Sequence, residues 1–214
     1  MLIQDIMRYP VITATPDTTI REVMALMFKH RIRHVPIIDG GEKLVGIVTD
    51  RDVREAGPSR IRHDEEDFRV FDEPIHTIMK RDVITSHPHE FVEEAAFMMK
   101  QYRIGSLPVL SRQEIVGIVT DSDLLGALVE LMGVDQPSSR LEIEVVDRTG
   151  ILADMTAIIK ALGISITSFF VYKSARPGYR RVALRVRTMD PRKLIEHLIA
   201  AGFEVIWPRL EDLP

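Results

Sequence analysis

The sequence contains no cysteine and no asparagine, and only one of its 214 residues is tryptophan. Without cysteine, the chain has no disulfide, no thiol nucleophile and no zinc-thiolate site. It also has no large surplus of either charge, because 28 basic residues face 32 acidic ones and leave a formal net charge of −4. That balance argues against a dedicated nucleic-acid or membrane-surface binder.

Long hydrophobic runs are missing as well. No apolar stretch approaches the roughly 18–20 residues that cross a bilayer, and residues 1–5 have neither the basic nor the apolar part of a secretory leader. We therefore expect a cytoplasmic protein. With 45% hydrophobic and 28% charged residues, the composition is that of an ordinary globular protein. The length allows one large domain or two to three small ones.

The common signatures of enzyme chemistry are absent from the sequence. There is no Gly-x-Ser-x-Gly elbow, no His-Glu-x-x-His pair, and no glycine loop of the Walker or dinucleotide type. The pairs His30/His34 and His87/His89 have spacings that metal ligands can take, but no third ligand accompanies them. We predict no catalytic residue, no metal site and no enzyme activity.

A degenerate repeat organises the first part of the chain. The segment Ile3–Arg54 reappears as Ile75–Leu125, and Val45–Asp50 returns unchanged as Val116–Asp121. The two copies are offset by 72 residues before the hairpin turn and by 71 residues after it, because the second copy has one residue fewer in that turn. Identity over six consecutive residues is too long for chance and indicates a duplication.

Each copy predicts a β-α-β-β-α unit of roughly 55 residues. The first helix of copy one begins with a capping box, Thr19 with Glu22, whereas copy two has Phe91 in place of Thr19 and a weaker helix start. One copy alone leaves an apolar sheet face uncovered, so we expect the two copies to stack. The predicted elements of copy one are a strand at Val11–Thr13, a helix from Ile20, strands at Val35–Ile38 and Leu44–Thr49, and a short helix from Asp52.

The remainder of the chain has a different pattern. Its order of strands and helices is β-α-β-β-α-β, which is typical of a ferredoxin-like sandwich with both helices on one sheet face. Such a small sheet leaves its edges and one face open, and pairing with a second copy would cover them. The predicted strands are Leu141–Val146, Ile164–Tyr172, Arg181–Arg187 and Phe203–Trp207, and the helices follow Gly150 and Pro191.

Two Thr-x-x-Asp sequences stand where a strand ends and a helix begins, at Thr49–Asp52 and Thr120–Asp123. In one interpretation, they only cap the helices. In the other, the carboxylate accepts the two hydroxyls of a ribose, while the hydroxyl and the backbone N–H groups suit a phosphate. A duplication copies a cap as readily as a binding site, so the spacing leaves both interpretations open.

These residues resemble a known family. The two copies are similar to CBS motifs that together form a CBS pair, or Bateman module, and the last part is similar to an ACT domain. The combination resembles the acetoin-utilisation AcuB family and implies an α+β fold with motif 1 at 1–56, a linker at 57–74, motif 2 at 75–134 and the ACT domain at 139–210. The resemblance rests on Ile6-Met7, Val11–Thr13, Arg31–Pro36 and Gly46–Val53, on Arg103–Pro108 and Gly117–Leu124 of the second copy, and on Asp147–Leu152.

The resemblance implies that adenine nucleotides bind in the clefts between the two CBS motifs. It assigns Asp52 and Asp123 to ribose hydroxyls, and Thr49 and Thr120 to the neighbourhood of ribose and phosphate. The base pocket of each cleft comes largely from the other motif, and residues before the x-Pro approach phosphate. This assigns Ile84, Ile104 and Gly105 to the cleft opposite Asp52, and Ile12, Ile32 and Arg33 to the cleft opposite Asp123. Motif 1 is basic through Arg33, His34 and Arg51, so we expect the two clefts to differ in their affinity for a nucleotide.

For the ACT domain, the resemblance implies an amino acid or similar small ligand near Asp147, Gly150 and Ile151. Overall, we predict a non-catalytic regulatory homodimer that senses AMP, ADP or ATP as a regulatory ligand, has no cofactor, and is linked to acetoin or acetate metabolism. The alternative is a structural dimerisation protein whose ligand clefts are vestigial.

Overall fold

A computed structural model describes residues 1–57 and 65–212. The chain divides into two compact units, Met1–Leu125 and Gly126–Pro214. The fold is mixed α and β, as predicted, with the strands of the first unit in two small sheets and those of the second unit in one larger sheet. Within the described residues, no helix combines the length and apolar character needed to cross a membrane.

The two repeats are each built as a helix, an antiparallel hairpin and a second helix, and the first unit contains them up to Leu125, within the last of these helices. The capping box predicted for the first helix is present, since Thr19 Oγ1 accepts from the backbone N–H of Glu22 at 3.2 Å. Phe91 gives the equivalent helix no side-chain cap, as predicted. The elements are α1 (Ile20–His30), β1 (His34–Ile38), β2 (Leu44–Thr49), α2 (Asp50–Ala56), α3 (Val92–Tyr102), β3 (Ser106–Ser111), β4 (Glu114–Thr120) and α4 (Asp121–Leu131).

Two details of the predicted repeat unit are wrong. No strand forms at Val11–Thr13, and the next residue, Ala14, makes a single bridge with Ile37. Prolines at positions 10 and 16 restrict this segment and lack the N–H groups that a longer ladder needs. The helix predicted from Asp52 begins two residues earlier, at Asp50, because Thr49 is its N-cap.

The two repeats exchange their opening segments. Arg8, near the start of the first copy, pairs with Ile118 in β4 of the second copy, and Lys80, at the equivalent point of the second copy, pairs with Ile47 in β2 of the first. Both bridges have two backbone hydrogen bonds of 2.9–3.1 Å. This exchange brings a cation from each copy to the strand end of the other, which positions the site described below.

The structure describes part of the predicted linker at 57–74. Residues 58–64, which include the start of the charged stretch His63–Asp67, lie outside the described residues. A 3-10 helix covers Glu65–Asp72, and Phe71 packs against the core of the first unit. Arg21 Nε on α1 lies 2.9 Å from Asp72 Oδ1. The second half of this segment is therefore attached to the first repeat.

Close packing explains why both copies of the repeat have glycine at the position of Gly46. A Cβ built there would lie 2.6 Å from Met79 Sδ, 3.0 Å from Met79 Cγ and 3.2 Å from the carbonyl oxygen of Lys80. Gly117 faces Met7 in the same way, at 2.5 Å from its sulfur. Glycine at these positions allows the exchanged segment to lie directly on the hairpin.

We expect Gly46→Ala to destabilise the first unit by about 1–3 kcal/mol, because Met79 is buried and the Lys80 carbonyl is held by its bridge, so the added methyl group overpacks the contact. Urea unfolding monitored by circular dichroism measures the effect. Gly40→Ala is the matched control, since nothing lies within 4 Å of a Cβ there. Equal midpoints for the two variants would contradict this packing argument.

The second unit has the predicted β-α-β-β-α-β order. Its four-stranded sheet has the order β6-β7-β5-β8, with every neighbouring pair antiparallel. The alternating apolar residues of β5 and β7 form one core with residues of both helices, so the helices cover one face of the sheet. The elements are β5 (Ser139–Val146), α5 (Ile151–Ala161), β6 (Ile166–Lys173), β7 (Tyr179–Val186), α6 (Arg192–Ala200) and β8 (Glu204–Trp207).

Candidate functional site

Both Thr-x-x-Asp sequences form capping boxes. Asp52 Oδ2 accepts hydrogen bonds from the backbone N–H of Thr49 at 2.8 Å and from its hydroxyl at 2.6 Å. Asp123 Oδ2 accepts the equivalent bonds from Thr120 at 2.9 and 2.6 Å. The capping interpretation is therefore correct for one oxygen of each carboxylate, and the other oxygen is the one through which a ligand can be bound.

The second oxygen of each aspartate is paired with the cation delivered from the other copy. Lys80 Nζ lies 3.2 Å from Asp52 Oδ1, and Arg8 Nε lies 2.7 Å from Asp123 Oδ1. The two carboxylate side chains are only 10% and 8% exposed. Sequence reasoning missed both cations, although each follows an Ile-Met pair at equivalent positions of the repeat.

Asp52 is ionised at neutral pH. Burial by itself would raise the pKa of its carboxyl group, but the hydrogen bonds from Thr49 and from Lys80 outweigh burial and leave the pKa below the usual value. A buried carboxylate that keeps its charge is a strong acceptor. The structure thus provides an anionic acceptor at the strand end beside the ammonium group of Lys80.

A cavity of about 360 Å³, here called cleft 1, is lined by Lys80 and Thr49, the partners of Asp52, whereas Asp52 itself does not line it. Its walls come from both repeats, and its volume falls in the range of small-molecule sites. Ile84, Ile104 and Gly105, which the sequence analysis assigned opposite Asp52, all line it. The complete lining is Arg33, His34, Ile47, Thr49, Asp50, Arg51, Arg54, Lys80, Asp82, Val83, Ile84, Arg103, Ile104, Gly105, Ser106 and Asp121.

A second cavity, cleft 2, lies at the equivalent place beside Thr120 and measures only about 120 Å³. The structure brings Ile32, Arg33 and His34 to it, but Ile12, assigned to the same cleft from the sequence, lines neither cavity. Cleft 2 is lined by Arg8, Arg31, Ile32, Arg33, His34, Ile118, Thr120 and Ser122.

Basic side chains outnumber acidic ones around cleft 1. Its lining contains four arginines and Lys80 against three aspartates. Arg33 Nη2 lies 3.3 Å from Asp121 Oδ1, and Arg51 Nε lies 2.8 Å from Glu55 Oε1. Both guanidinium groups are more than half exposed, so their pairs are weak and can exchange partners with a bound anion. The cleft therefore combines apolar walls with a cationic rim.

His34 stands between the two clefts and lines both. Burial lowers the pKa of its imidazole, and the neighbouring charge of Arg33 lowers it further, while Asp121, Asp50 and Asp52 act in the opposite direction. The net pKa is below the usual value, so the ring is neutral at pH 7. Any positive charge facing a ligand at this wall then comes from Arg33.

In the second unit, the three residues assigned to an ACT ligand line one cavity of about 320 Å³. Gly150 has φ +86° and ends the loop at the start of α5, where a residue with a Cβ would be strained. Asp147 Oδ2 accepts from Arg180 Nε at 2.9 Å. The cavity lining is Val145, Asp147, Arg148, Gly150, Ile151, Leu152, Val171 and Arg180.

The four histidines considered for metal binding do not gather with acidic side chains into a ligand set. In the ranges 1–57 and 65–212, no group of three or more His, Asp or Glu residues has a geometry that could hold a metal ion. His87 and His89 contact each other edge to face, with ring centroids 5.2 Å apart.

Comparison with known protein families gives two matches. The CBS domain profile matches residues 3–59 and 75–130, which is more than half of the chain. The ACT domain profile matches residues 139–203. The sequence-based resemblance to a CBS pair followed by an ACT domain is thereby confirmed.

Related proteins of known sequence share the CBS part. The chain is 38% identical over 124 residues to L-aspartate semialdehyde sulfurtransferase of Methanocaldococcus jannaschii, a match that covers 58% of this chain but 22% of that enzyme. It is 32% identical over 143 residues to a CBS domain-containing protein of Dictyostelium discoideum, covering 65% of this chain and 99% of the relative. The chain thus spans about a fifth of the enzyme and nearly all of the small CBS protein.

Two solved structures resemble the chain over a similar extent. One is the CBS domain pair of protein MJ0100 in complex with 5′-methylthioadenosine and S-adenosyl-L-methionine, with 34% identity, a TM-score of 0.53, and coverage of 64% of this chain and 98% of that one. The other is described as the acetoin utilization protein AcuB of Vibrio cholerae, with 32% identity, a TM-score of 0.54, and coverage of 65% and 98%.

Proposed function

We propose that this chain, which belongs to the CBS-domain family and also carries an ACT domain, is a regulatory protein that senses an adenosine-containing ligand in cleft 1. CBS and ACT domains are both regulatory modules. The observation that carries the proposal is the composition of this one cavity. It joins isoleucines of both repeats and a rim of arginines, and it is lined by Thr49 and Lys80, the two residues that bind the ionised carboxylate of Asp52. Apolar walls suit a base, a carboxylate suits ribose hydroxyls, and guanidinium groups suit phosphate.

The proposed pose follows from these groups. The base lies between Ile84 and Ile104, and Gly105 lets the backbone come close to it. The ribose hydroxyls donate to Asp52 Oδ1, where they share the carboxylate with Lys80 or displace it. The phosphates of AMP, ADP or ATP then face Arg33 and Arg51. The relative in complex with 5′-methylthioadenosine and S-adenosyl-L-methionine supports the adenosine class of ligand.

The finer parts of the proposal concern the second unit and assembly. We propose that the cavity at Asp147, Gly150 and Ile151 takes an amino acid, and that the protein is a homodimer. On α1, Met24 and Phe28 lie one turn apart and are 39% and 87% exposed, which favours a covered apolar face. The likeness to AcuB of Vibrio cholerae supports a role in acetoin or acetate metabolism.

A second candidate function is structural. The capping boxes and the ion pairs already occupy both oxygens of Asp52 and Asp123, which favours clefts that serve only stability in a dimerisation protein. The two candidates differ in one result, which is whether an adenosine compound binds.

A thermal-shift panel separates them. We expect adenosine, AMP, ADP, ATP, 5′-methylthioadenosine or S-adenosyl-L-methionine to raise the midpoint of the first unit, since a ligand at 100 times its Kd adds about 2.7 kcal/mol of stability. GMP is the control for the base and ribose 5-phosphate is the control for the remainder of the nucleotide. If no adenosine compound gives a larger shift than these two controls, the structural candidate is correct.

A further inference from the structure

The two clefts are related by the internal repeat but differ threefold in volume, at about 360 Å³ for cleft 1 and about 120 Å³ for cleft 2. Every residue that lines cleft 2 has a repeat counterpart that lines cleft 1. Two isoleucines and the threonine of cleft 2 have identical counterparts in cleft 1, which is also lined by Ile84. The counterpart pairs that differ are Arg8/Lys80, Arg33/Gly105, His34/Ser106 and Ser122/Arg51, and at these positions the two copies leave different amounts of space.

The divergence that can fill space lies just before the x-Pro. Arg33 and His34 stand in cleft 2 where cleft 1 has Gly105 and Ser106. A guanidinium side chain and an imidazole thus occupy the wall of cleft 2, where the equivalent wall of cleft 1 has no side chain and a hydroxymethyl group. The position that a Cβ on Gly105 would take lies 3.1 Å from His34 Nε2, so the imidazole rests directly against this glycine.

The ribose acceptor of cleft 2 is also held more tightly. Arg8 Nε contacts Asp123 Oδ1 at 2.7 Å, whereas Lys80 Nζ contacts Asp52 Oδ1 at 3.2 Å. A ribose entering cleft 2 would have to displace a short guanidinium–carboxylate contact and also find space beside Arg33. The small volume of cleft 2 and the short contact between Arg8 and Asp123 therefore both disfavour ligand binding in cleft 2.

We propose that the chain binds one adenosine ligand, in cleft 1, and that Arg33 and His34 select this cleft by filling cleft 2. The inference rests on the proposed function, because it concerns the same ligand class. The duplication would otherwise give two sites per chain. Arg33 and His34, which fill cleft 2, also line cleft 1. The same two side chains therefore place the charge of Arg33 beside the phosphates of a ligand in cleft 1.

The test is the binding stoichiometry of adenosine, measured by titration calorimetry. Adenosine is the probe because it lacks phosphate, so the loss of Arg33 does not remove a phosphate contact. The wild type should bind one adenosine per chain. The variant Arg33→Gly/His34→Ser, which gives motif 1 the residues of motif 2, should bind two. Adding Asp123→Asn to this variant should return the value to one.

The matched control is Arg21→Gly/His30→Ser, which removes the same two residue types from α1 outside both clefts and should still bind one adenosine per chain. Two adenosines per wild-type chain would overturn the inference and leave the proposed function intact. One adenosine per Arg33→Gly/His34→Ser chain would show that these residues do not close cleft 2. Absence of adenosine binding to the wild type would overturn the proposed function itself.

The reciprocal exchange keeps the inference testable if the double variant does not fold. The variant Arg33→Gly/His34→Ser/Gly105→Arg/Ser106→His preserves composition and total side-chain volume. It should bind one adenosine per chain, and its binding should be lost with Asp123→Asn and kept with Asp52→Asn. In the wild type, the dependence should be the reverse, and the same dependence in both proteins would contradict the inference.

Discussion

Replacement of Asp52 by Asn is expected to weaken the binding of AMP by about 10- to 150-fold, which corresponds to the 1.5–3 kcal/mol of a lost charged hydrogen bond. Asn removes the anionic oxygen that accepts the ribose hydroxyls and is of nearly the same size. The variant should still fold, because Thr49 remains the N-cap, because the amide oxygen of Asn can still accept from Thr49, and because loss of a cap costs only about 0.5–2 kcal/mol. Titration calorimetry with AMP measures the change, and urea unfolding verifies the fold.

Asp123→Asn is the matched control for this prediction. Asp123 makes the same capping box with Thr120 and is paired with Arg8, so the substitution disturbs the helix start to the same degree. Since cleft 2, at about 120 Å³, is smaller than ordinary small-molecule sites, the affinity for AMP should stay within about a factor of two. Wild-type affinity in the Asp52→Asn variant, or an equal loss in both variants, would contradict the assignment of the ribose acceptor.

The second large effect is expected for the phosphates. The double variant Arg33→Gln/Arg51→Gln should lose more affinity for ATP than for AMP, and more for AMP than for adenosine, with a loss for AMP of about tenfold or more. Glutamine keeps most of the side-chain length, so cleft 2 stays filled while the two charges are removed. Titration calorimetry with the three ligands measures the series.

Salt provides an independent readout of the same prediction. Arg33 and Arg51 are exposed, so added salt should weaken AMP binding more in the wild type than in the double variant. Arg21→Gln is the control, because Arg21 forms a similar exposed pair with Asp72 but does not line cleft 1. An equal loss for all three ligands would mean that the two arginines act on the structure of the first unit and do not contact phosphate.

The repeat and its caps could be predicted from the sequence because they are local. Thr19 with Glu22 satisfies the N–H groups of a helix start within a few residues, so the spacing indicates the contact, whereas for Thr49 with Asp52 the same spacing left a cap and a binding site both open. The β-α-β-β-α-β order of the second unit follows in the same way from alternation and helical spacing. The strand expected at Val11–Thr13 does not form, because Pro10 and Pro16 restrict the segment and lack the N–H groups that a longer ladder needs.

The site was predictable only in part. The family resemblance gathered Ile84, Ile104 and Gly105 around one cleft, as the structure does. Lys80 and Arg8 were not foreseen, because a single cation after an apolar pair looks like any solvated side chain until the exchange of opening segments is known. The unequal volumes were also beyond the sequence, since they depend on where the Arg33 and His34 side chains lie.

A crystal structure of the full chain grown with AMP tests most directly whether cleft 1 binds an adenosine ligand. We expect one nucleotide per chain in cleft 1, with the ribose hydroxyls within hydrogen-bond distance of Asp52, the base between Ile84 and Ile104, and the phosphate facing Arg33. Nucleotide density in cleft 2, or only outside the first unit, would contradict this expectation, as would an empty cleft 1 at saturating AMP.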